Sequence, residues 1–237
     1  MTSFNHSLID KIMEELHSYS SSERVESIAR SISTDLIVIG VTAPDQKHVL
    51  KLFQTQISQL SAKEKIDLAH SMNDKRIFEL FQIACEIIGK KSAVLKEICT
   101  KDFERLIVNL DNWASVDALG VYVLGSAWRL NIIEDSYIHL LLASENIWCR
   151  RLAIVSTVAL NQRSYGASGD AARTLTVCKE VLDCREDMIV KALSWALRKL
   201  SVCNKNAVLE FTEKYQSRLA SRVIREVKHK VEKGTKN

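Results

Sequence analysis

A chain of 237 residues with 46% hydrophobic content is long enough to bury a substantial core. One proline and seven glycines are too few to build the turns of a strand-rich fold, so the composition excludes sandwiches and barrels and leaves helices joined by short polar loops. Net charge is only +4, yet residues 205–237 carry nine Lys/Arg against four Asp/Glu, which gathers the excess at one end and makes a local basic surface more telling than the global balance.

The N-terminal stretch MTSFNHSLIDKIMEEL is amphipathic and carries acids where a secretory signal needs an apolar run and a cleavage site, so a cytoplasmic location is expected, nucleoid-associated in a prokaryote. Leu8, Ile9, Ile12, Met13 and Leu16 recur at helical spacing. Val25, Ile28, Ala29 and Ile32 form a second such face, and Val49, Leu50, Leu52, Phe53 and Ile57 a third. Thr42 followed by Pro44 and Asp45, and Ser61 followed by Glu64, are helix start signals.

The same periodicity predicts helices over 63–72, 74–88, 91–99, 101–109, 113–130, 134–143, 146–160, 170–183, 186–202, 204–216 and 219–232, with no strand. The longest apolar runs, 36–41 and 138–143, fall well short of the roughly 20 residues of a bilayer span, so no membrane crossing is expected. Many short helices without a sustained heptad predict an all-α solenoid, a curved superhelix of HEAT-like antiparallel pairs forming one domain over 1–237. The polar, glycine-containing loop Asn161 to Gly169 reads as a solvated connection. Cys85, Cys99, Cys149, Cys178, Cys184 and Cys203 form no C-x-x-C pair, so neither a disulfide framework nor a metal site is expected.

Three segments depart from the plain amphipathic pattern. In 113–130, Trp113 and Asp117 stand four residues apart and share a face; Leu124 and Trp128 continue that edge, and Gly120 leaves space beside the carboxylate. Asp117 also reads as an acid in an early helical turn that favours the helix dipole, but flanking indoles go beyond what that role needs. In 146–160, Arg151 falls on the apolar sector of Trp148, Leu152, Val155, Val158 and Ala159, with Arg150 at its flank. A guanidinium there must either bridge internally to an acid such as Asp117 or meet a phosphate.

In 186–202, Ile189, Ala192, Leu193, Ala196, Leu197 and Leu200 make one apolar stripe. Trp195 lies about 130° from its centre at ~100° per residue, on the side of Lys191, Arg198 and Lys199. It reads either as packing against the next repeat or as an aromatic platform among cations suited to nucleic acid.

Asp111-Asn112-Trp113-Ala114-Ser115-Val116-Asp117, Ile147-Trp148-Cys149-Arg150-Arg151-Leu152-Ala153-Ile154 and Lys191-Ala192-Leu193-Ser194-Trp195-Ala196-Leu197-Arg198 together resemble the AlkD-like DNA alkylation repair glycosylases. The likeness extends to Ile39-Gly40-Val41-Thr42-Ala43-Pro44 and to Leu219 through Lys230, with Arg225-Glu226 and Lys228-His229. It implies a HEAT-like superhelix whose basic face holds duplex DNA, with Asp117, Trp113 and Trp195 around the lesion and Arg151 nearby. Ala114 stands where the family often carries an acid, and Lys199 where it often carries a glutamate.

That chemistry suits these residue types. A purine alkylated at N3 or N7 is already cationic and leaves without protonation, so a carboxylate such as Asp117 need only stabilise the charge growing on the deoxyribose and place the attacking water. Indole faces attract cations by about 0.5–2 kcal/mol each, which favours the charged base. Arg150, Lys191, Arg198, Arg222, Arg225 and Lys228 are the candidate DNA contacts. The expectation is a cofactor-free, monofunctional and monomeric hydrolase acting on double-stranded DNA with alkylated bases. A DNA-binding relative without turnover and a protein-binding helical scaffold are the alternatives; the scaffold predicts no gathering of cations beside Trp195.

Overall fold

The computed structural model describes residues 3–89 and 91–235, so Met1 and Thr2 of the N-terminal stretch and Lys236 of the basic end lie outside it. The described residues are helical, with no strand and one isolated bridge, Ile37 to Ile77. By its internal contacts the chain divides into two compact units, Met1–Ala118 and Leu119–Asn237.

The N-terminal unit contains α1 (Ser3–Ser18), α2 (Ser22–Ser31), α3 (Ala43–Leu52), α4 (Gln54–Gln59), α5 (Ala62–Asp74), α6 (Phe78–Gly89), α7 (Ser92–Leu95), α8 (Thr100–Ile107) and α9 (Trp113–Ala118). The start signals act where the sequence puts them. Thr42 Oγ1 accepts the Asp45 N–H at 3.3 Å, and Ser61 with Glu64 closes a reciprocal capping box. The single helix expected over Val49–Ile57 is broken at Phe53, and the one expected over 91–99 shrinks to α7. The core is built from the apolar faces of α1, α3, α5, α6 and α8, with Ile12, Leu16, Val49, Leu68, Met72, Leu80, Ile88, Phe103 and Leu106 buried.

A carboxylate lies in that core. Glu79 is fully buried, and its oxygens accept the N–H groups of Ile39 (3.0 Å), Gly40 (2.8 Å) and Val41 (3.2 Å). The non-helical run before α3 would otherwise bury unpaired donors; Glu79 supplies the acceptors that a helix or sheet would have provided.

The C-terminal unit opens with a π-helical segment, Leu119–Leu124, and continues through α10 (Gly125–Arg129), α11 (Asp135–Leu142), α12 (Ile147–Leu160), a 3-10 turn at Arg163–Tyr165, α13 (Ala171–Glu180), α14 (Asp187–Cys203), α15 (Lys205–Lys214) and α16 (Ser221–Lys233). α11 packs on α12, α13 on both α12 and α14, and α15 on α14. α12, α14 and α16 pack successively into one row of even helices, and α11 packs on α13, the stacking of a helical repeat. α12 is buried from Arg151 to Leu160, so it lies inside the unit with no solvent face along that stretch.

The π segment corrects the reading of 113–130 as one uninterrupted helix. Bonding from i to i+5 changes the helical register over Leu119–Leu124, so this stretch is three segments, α9, the π turn and α10. Gly120 leaves no free space either: a Cβ there would stand 3.1 Å from Val155 Cγ1, and one at Gly125 only 2.3 Å from the Ser156 carbonyl. Both glycines let this segment approach α12. The loop 161–169 is likewise no freely solvated connection. Asn161 is buried and donates to Thr157 O and Thr174 Oγ1, both at 2.9 Å, while Arg163 reaches the Val202 carbonyl at 2.9 Å.

Candidate functional site

In the N-terminal unit the candidate groups are carried by α9. Its first turn is fixed by Asn112, almost fully buried, whose Oδ1 accepts the Ser115 N–H at 2.9 Å as an N-cap. Nδ2 of the same amide donates to Thr34 Oγ1 (3.2 Å) and Ser115 Oγ (3.1 Å). Asp111 accepts from the Thr34 hydroxyl and the Asp35 N–H, both at 2.6 Å. Partial burial would raise its pKa, but bonds from Thr34, Asn112 and Asp35 outweigh that and hold it below the usual carboxylate range.

Trp113 is half-buried. Its indole N–H donates to the Ser31 carbonyl at 3.0 Å, and its ring packs on Ile28, Ile32, Leu36 and Phe78. The ring is therefore fixed in orientation and keeps some exposed surface. Asp117 lies one turn further along α9 and is half-buried.

In the C-terminal unit every candidate residue lies on the row of even helices: Arg150 and Arg151 on α12, Lys191, Trp195 and Arg198 on α14, and Arg222, Arg225 and Lys228 on α16. α13 and α15 carry none of them. Trp128 is a core residue of this unit. It is 1% exposed, donates to Asp135 Oδ1 at 2.6 Å, and lies under the Arg173 guanidinium at 5.1 Å from its ring centroid.

Trp195 is different. It is half-buried on the side of α14 away from the buried stripe, as its helical phase requires, and has no ring or hydrogen-bond partner among the described residues. Arg151 is 5% exposed and donates to the Met188 carbonyl at 2.6 Å, so it braces α12 against the start of α14.

The basic residues are more paired than their number suggests. Arg150 meets Glu186 at 2.7 Å, Lys191 meets Asp187 at 2.6 Å, and Lys228 lies 3.9 Å from Glu232. Arg222 contacts Glu226 at 2.8 Å and Asp187 at 3.1 Å. Arg225 is exposed and makes no ion pair among the described residues. Lys199, one turn beyond Trp195, donates to Gln162 Oε1 at 2.6 Å; burial, Lys230 and Arg198 lower its pKa. Among the described residues no cluster of three or more His, Cys, Asp or Glu could hold a metal, and no helix is long and apolar enough to cross a membrane.

The family model described as DNA alkylation repair enzyme matches residues 12–230, nearly the whole chain. The chain belongs to the DNA alkylation repair enzyme family. Among solved structures, a predicted DNA alkylation repair enzyme from Enterococcus faecalis is similar with a TM-score of 0.72 and 19% identity, over 90% of this chain and 97% of that one; at that identity the likeness establishes the fold. No curated protein matches the sequence. Membership places this chain in DNA alkylation repair.

For this member of the DNA alkylation repair enzyme family, sequence reasoning missed the residues that hold the candidate groups in place. Asn112 and Asp111 stand in the stretch that carries the family resemblance, and an Asn immediately before a helix is itself a cap signal. Glu79, within Phe78-Glu79-Leu80-Phe81, is a charge in an apolar run, the pattern of a carboxylate with buried partners. Glu226 is 6% exposed and accepts the Ser194 hydroxyl at 2.6 Å; its sequence signals are its place on the apolar side of α16 and in the C-terminal stretch that carries the resemblance.

Proposed function

We propose that this protein is a monofunctional DNA glycosylase that hydrolyses the N-glycosidic bond of cationic N3- or N7-alkylated purines in duplex DNA. It works without a cofactor, as a cytoplasmic or nucleoid-associated monomer. The observation that carries the reading is the contrast between two tryptophans of one unit. The Trp128 ring is buried under Arg173 with its N–H satisfied, whereas Trp195 offers an indole without a partner among the described residues, on a helix face shared with Lys191, Arg198 and Lys199. An indole face attracts a cationic base, and the flanking cations suit the phosphates that accompany it.

Asp117 supplies the complementary chemistry. As the bond from C1′ to the base nitrogen lengthens, its electron pair goes to the base and cancels the positive charge there, while the deoxyribose becomes cationic. A half-buried carboxylate stabilises that growing charge better than one screened by water, and can accept the proton of the water that adds to C1′. Trp113, fixed by Ser31, is an indole wall one turn before Asp117. Arg151 acts through position, holding α12 to α14.

The deciding experiment is incubation with N-methylated duplex DNA and chromatography of the released bases. Free 3-methyladenine or 7-methylguanine is the expected product. Tight duplex binding with no free base would establish the relative without turnover, and absence of both would favour the protein-binding scaffold.

A further inference from the structure

Glu226 holds two guanidiniums in an unusual way. Its carboxylate accepts the Ser194 hydroxyl at 2.6 Å and Arg222 Nε–H at 2.8 Å. Arg198 Nε lies 3.6 Å from it and donates to Ser194 Oγ at 3.2 Å. Burial of Glu226 works against its charge, but Ser194, Arg222 and Arg198 together keep its pKa below the ordinary value.

Both arginines are thus gripped by Nε, the stem of the fork. Arg198 Nη1 and Nη2 have no partner among the described residues; Arg222 uses Nη1 for Asp187 at 3.1 Å and leaves Nη2 without one. A guanidinium has five N–H donors, and the end that forms bidentate bonds to phosphate is the end left open here. Among the described residues, Arg198, Arg222 and Lys191 pair with two carboxylates, Glu226 and Asp187, so the cluster keeps a positive charge. It flanks Trp195, since Ser194 and Arg198 lie one residue before it and three after.

We propose that Glu226 is a positioning residue that presents Arg198 and Arg222 to a single phosphodiester of bound DNA beside Trp195. The inference rests on the DNA-binding part of the reading above. It runs against simple charge counting: as a bare negative charge Glu226 would repel the backbone, so removing it should tighten binding. As an organiser of two forks it does the opposite, because ordering them beforehand lowers the entropic cost of contact.

The test is the affinity of wild-type and variant protein for a short unmodified duplex over a range of salt, with folding followed by circular dichroism. E226Q, which keeps the shape and removes the charge, is expected to bind about tenfold more weakly and to lose roughly 1 to 2 from the slope of log affinity against log salt. R198Q/R222Q should show a similar loss, and adding E226Q to it should change little. S194A, a milder variant, should weaken binding in the same direction and supplies the answer if E226Q does not fold. Folded E226Q or S194A that binds as tightly as wild type or tighter, or that keeps the full slope, overturns the inference while leaving DNA binding intact. Wild-type protein without salt-dependent duplex affinity overturns both.

Discussion

The Trp113 indole donates to the Ser31 carbonyl at 3.0 Å across 82 residues of sequence, tying the first turn of α9 to the last residue of α2. The same ring packs on Ile28 of α2, on Ile32 just after that helix and on Phe78 of α6, so one side chain is both a candidate site wall and part of a core cluster.

Trp113→Phe should keep most of that packing and lose only the hydrogen bond, a cost of about 0.5–1.5 kcal/mol. Trp113→Ala removes the ring as well and, because the residue is half-exposed, should cost about 2–3 kcal/mol, below the range for a fully buried aromatic. Urea denaturation of both variants checks the order. An alanine variant as stable as wild type would mean that the ring carries no structural load.

Glu79 is fully buried, with three backbone N–H groups as its partners. Glu79→Ala leaves all three without an acceptor, and each unpaired buried donor costs about 1–3 kcal/mol, so a loss of about 3 kcal/mol or more is expected. Glu79→Gln keeps the volume but turns an NH2 group toward N–H donors, so it should fall between wild type and alanine. Thermal melting is the measurement, and unchanged melting of Glu79→Ala would remove Glu79 from the account of the run before α3.

Asp111 gives stability a definite pH dependence. Its pKa is lowered on folding, since the bonds from Thr34, Asn112 and Asp35 outweigh burial. A carboxyl with a depressed folded pKa contributes stability that is fully present above its unfolded pKa, near 4, and is lost as pH falls through the folded value. Wild-type protein should therefore lose stability below about pH 4. Asp111→Asn should be less stable at neutral pH and approach wild type in acid. Equal differences between the two proteins at pH 7 and pH 3 in urea titrations would contradict this.

Much of the architecture was legible because its signals are local. The starts of α3 and α5 lie in Thr42–Asp45 and Ser61–Glu64, and the wheel of α14 separates Trp195 from its buried stripe. The π segment was not legible: Leu119–Leu124 is apolar on nearly every side, so no polar face marks the change of register. The pairing of Arg198 was not legible either. Arg222 and Glu226 stand four residues apart on α16, a spacing the sequence does show, but Glu226 reaches Ser194 across 32 residues and Arg198 beside it, and only the packing of α14 on α16 brings these together. Asp117 and Trp195 were nominated by spacing and resemblance, and their roles remain part of the proposal.

The two roles are separable by substitution. Asp117→Asn keeps the shape of the side chain and removes the charge that the mechanism needs only as the sugar becomes cationic. It should therefore lower base release from N-methylated duplex DNA by about 100-fold or more while leaving duplex affinity nearly unchanged. Trp195→Ala removes an indole face that attracts a base already charged in the ground state. Its expected loss is about 2- to 30-fold, corresponding to the ~0.5–2 kcal/mol of a cation–π contact, and should be smaller for a neutral base than for a cationic one. Single-turnover base release together with duplex binding on the same preparations separates the two effects. A folded Asp117→Asn protein that releases base at the wild-type rate would exclude the carboxylate from the chemistry, and a Trp195→Ala loss identical for cationic and neutral bases would mean that the indole recognises shape, not charge.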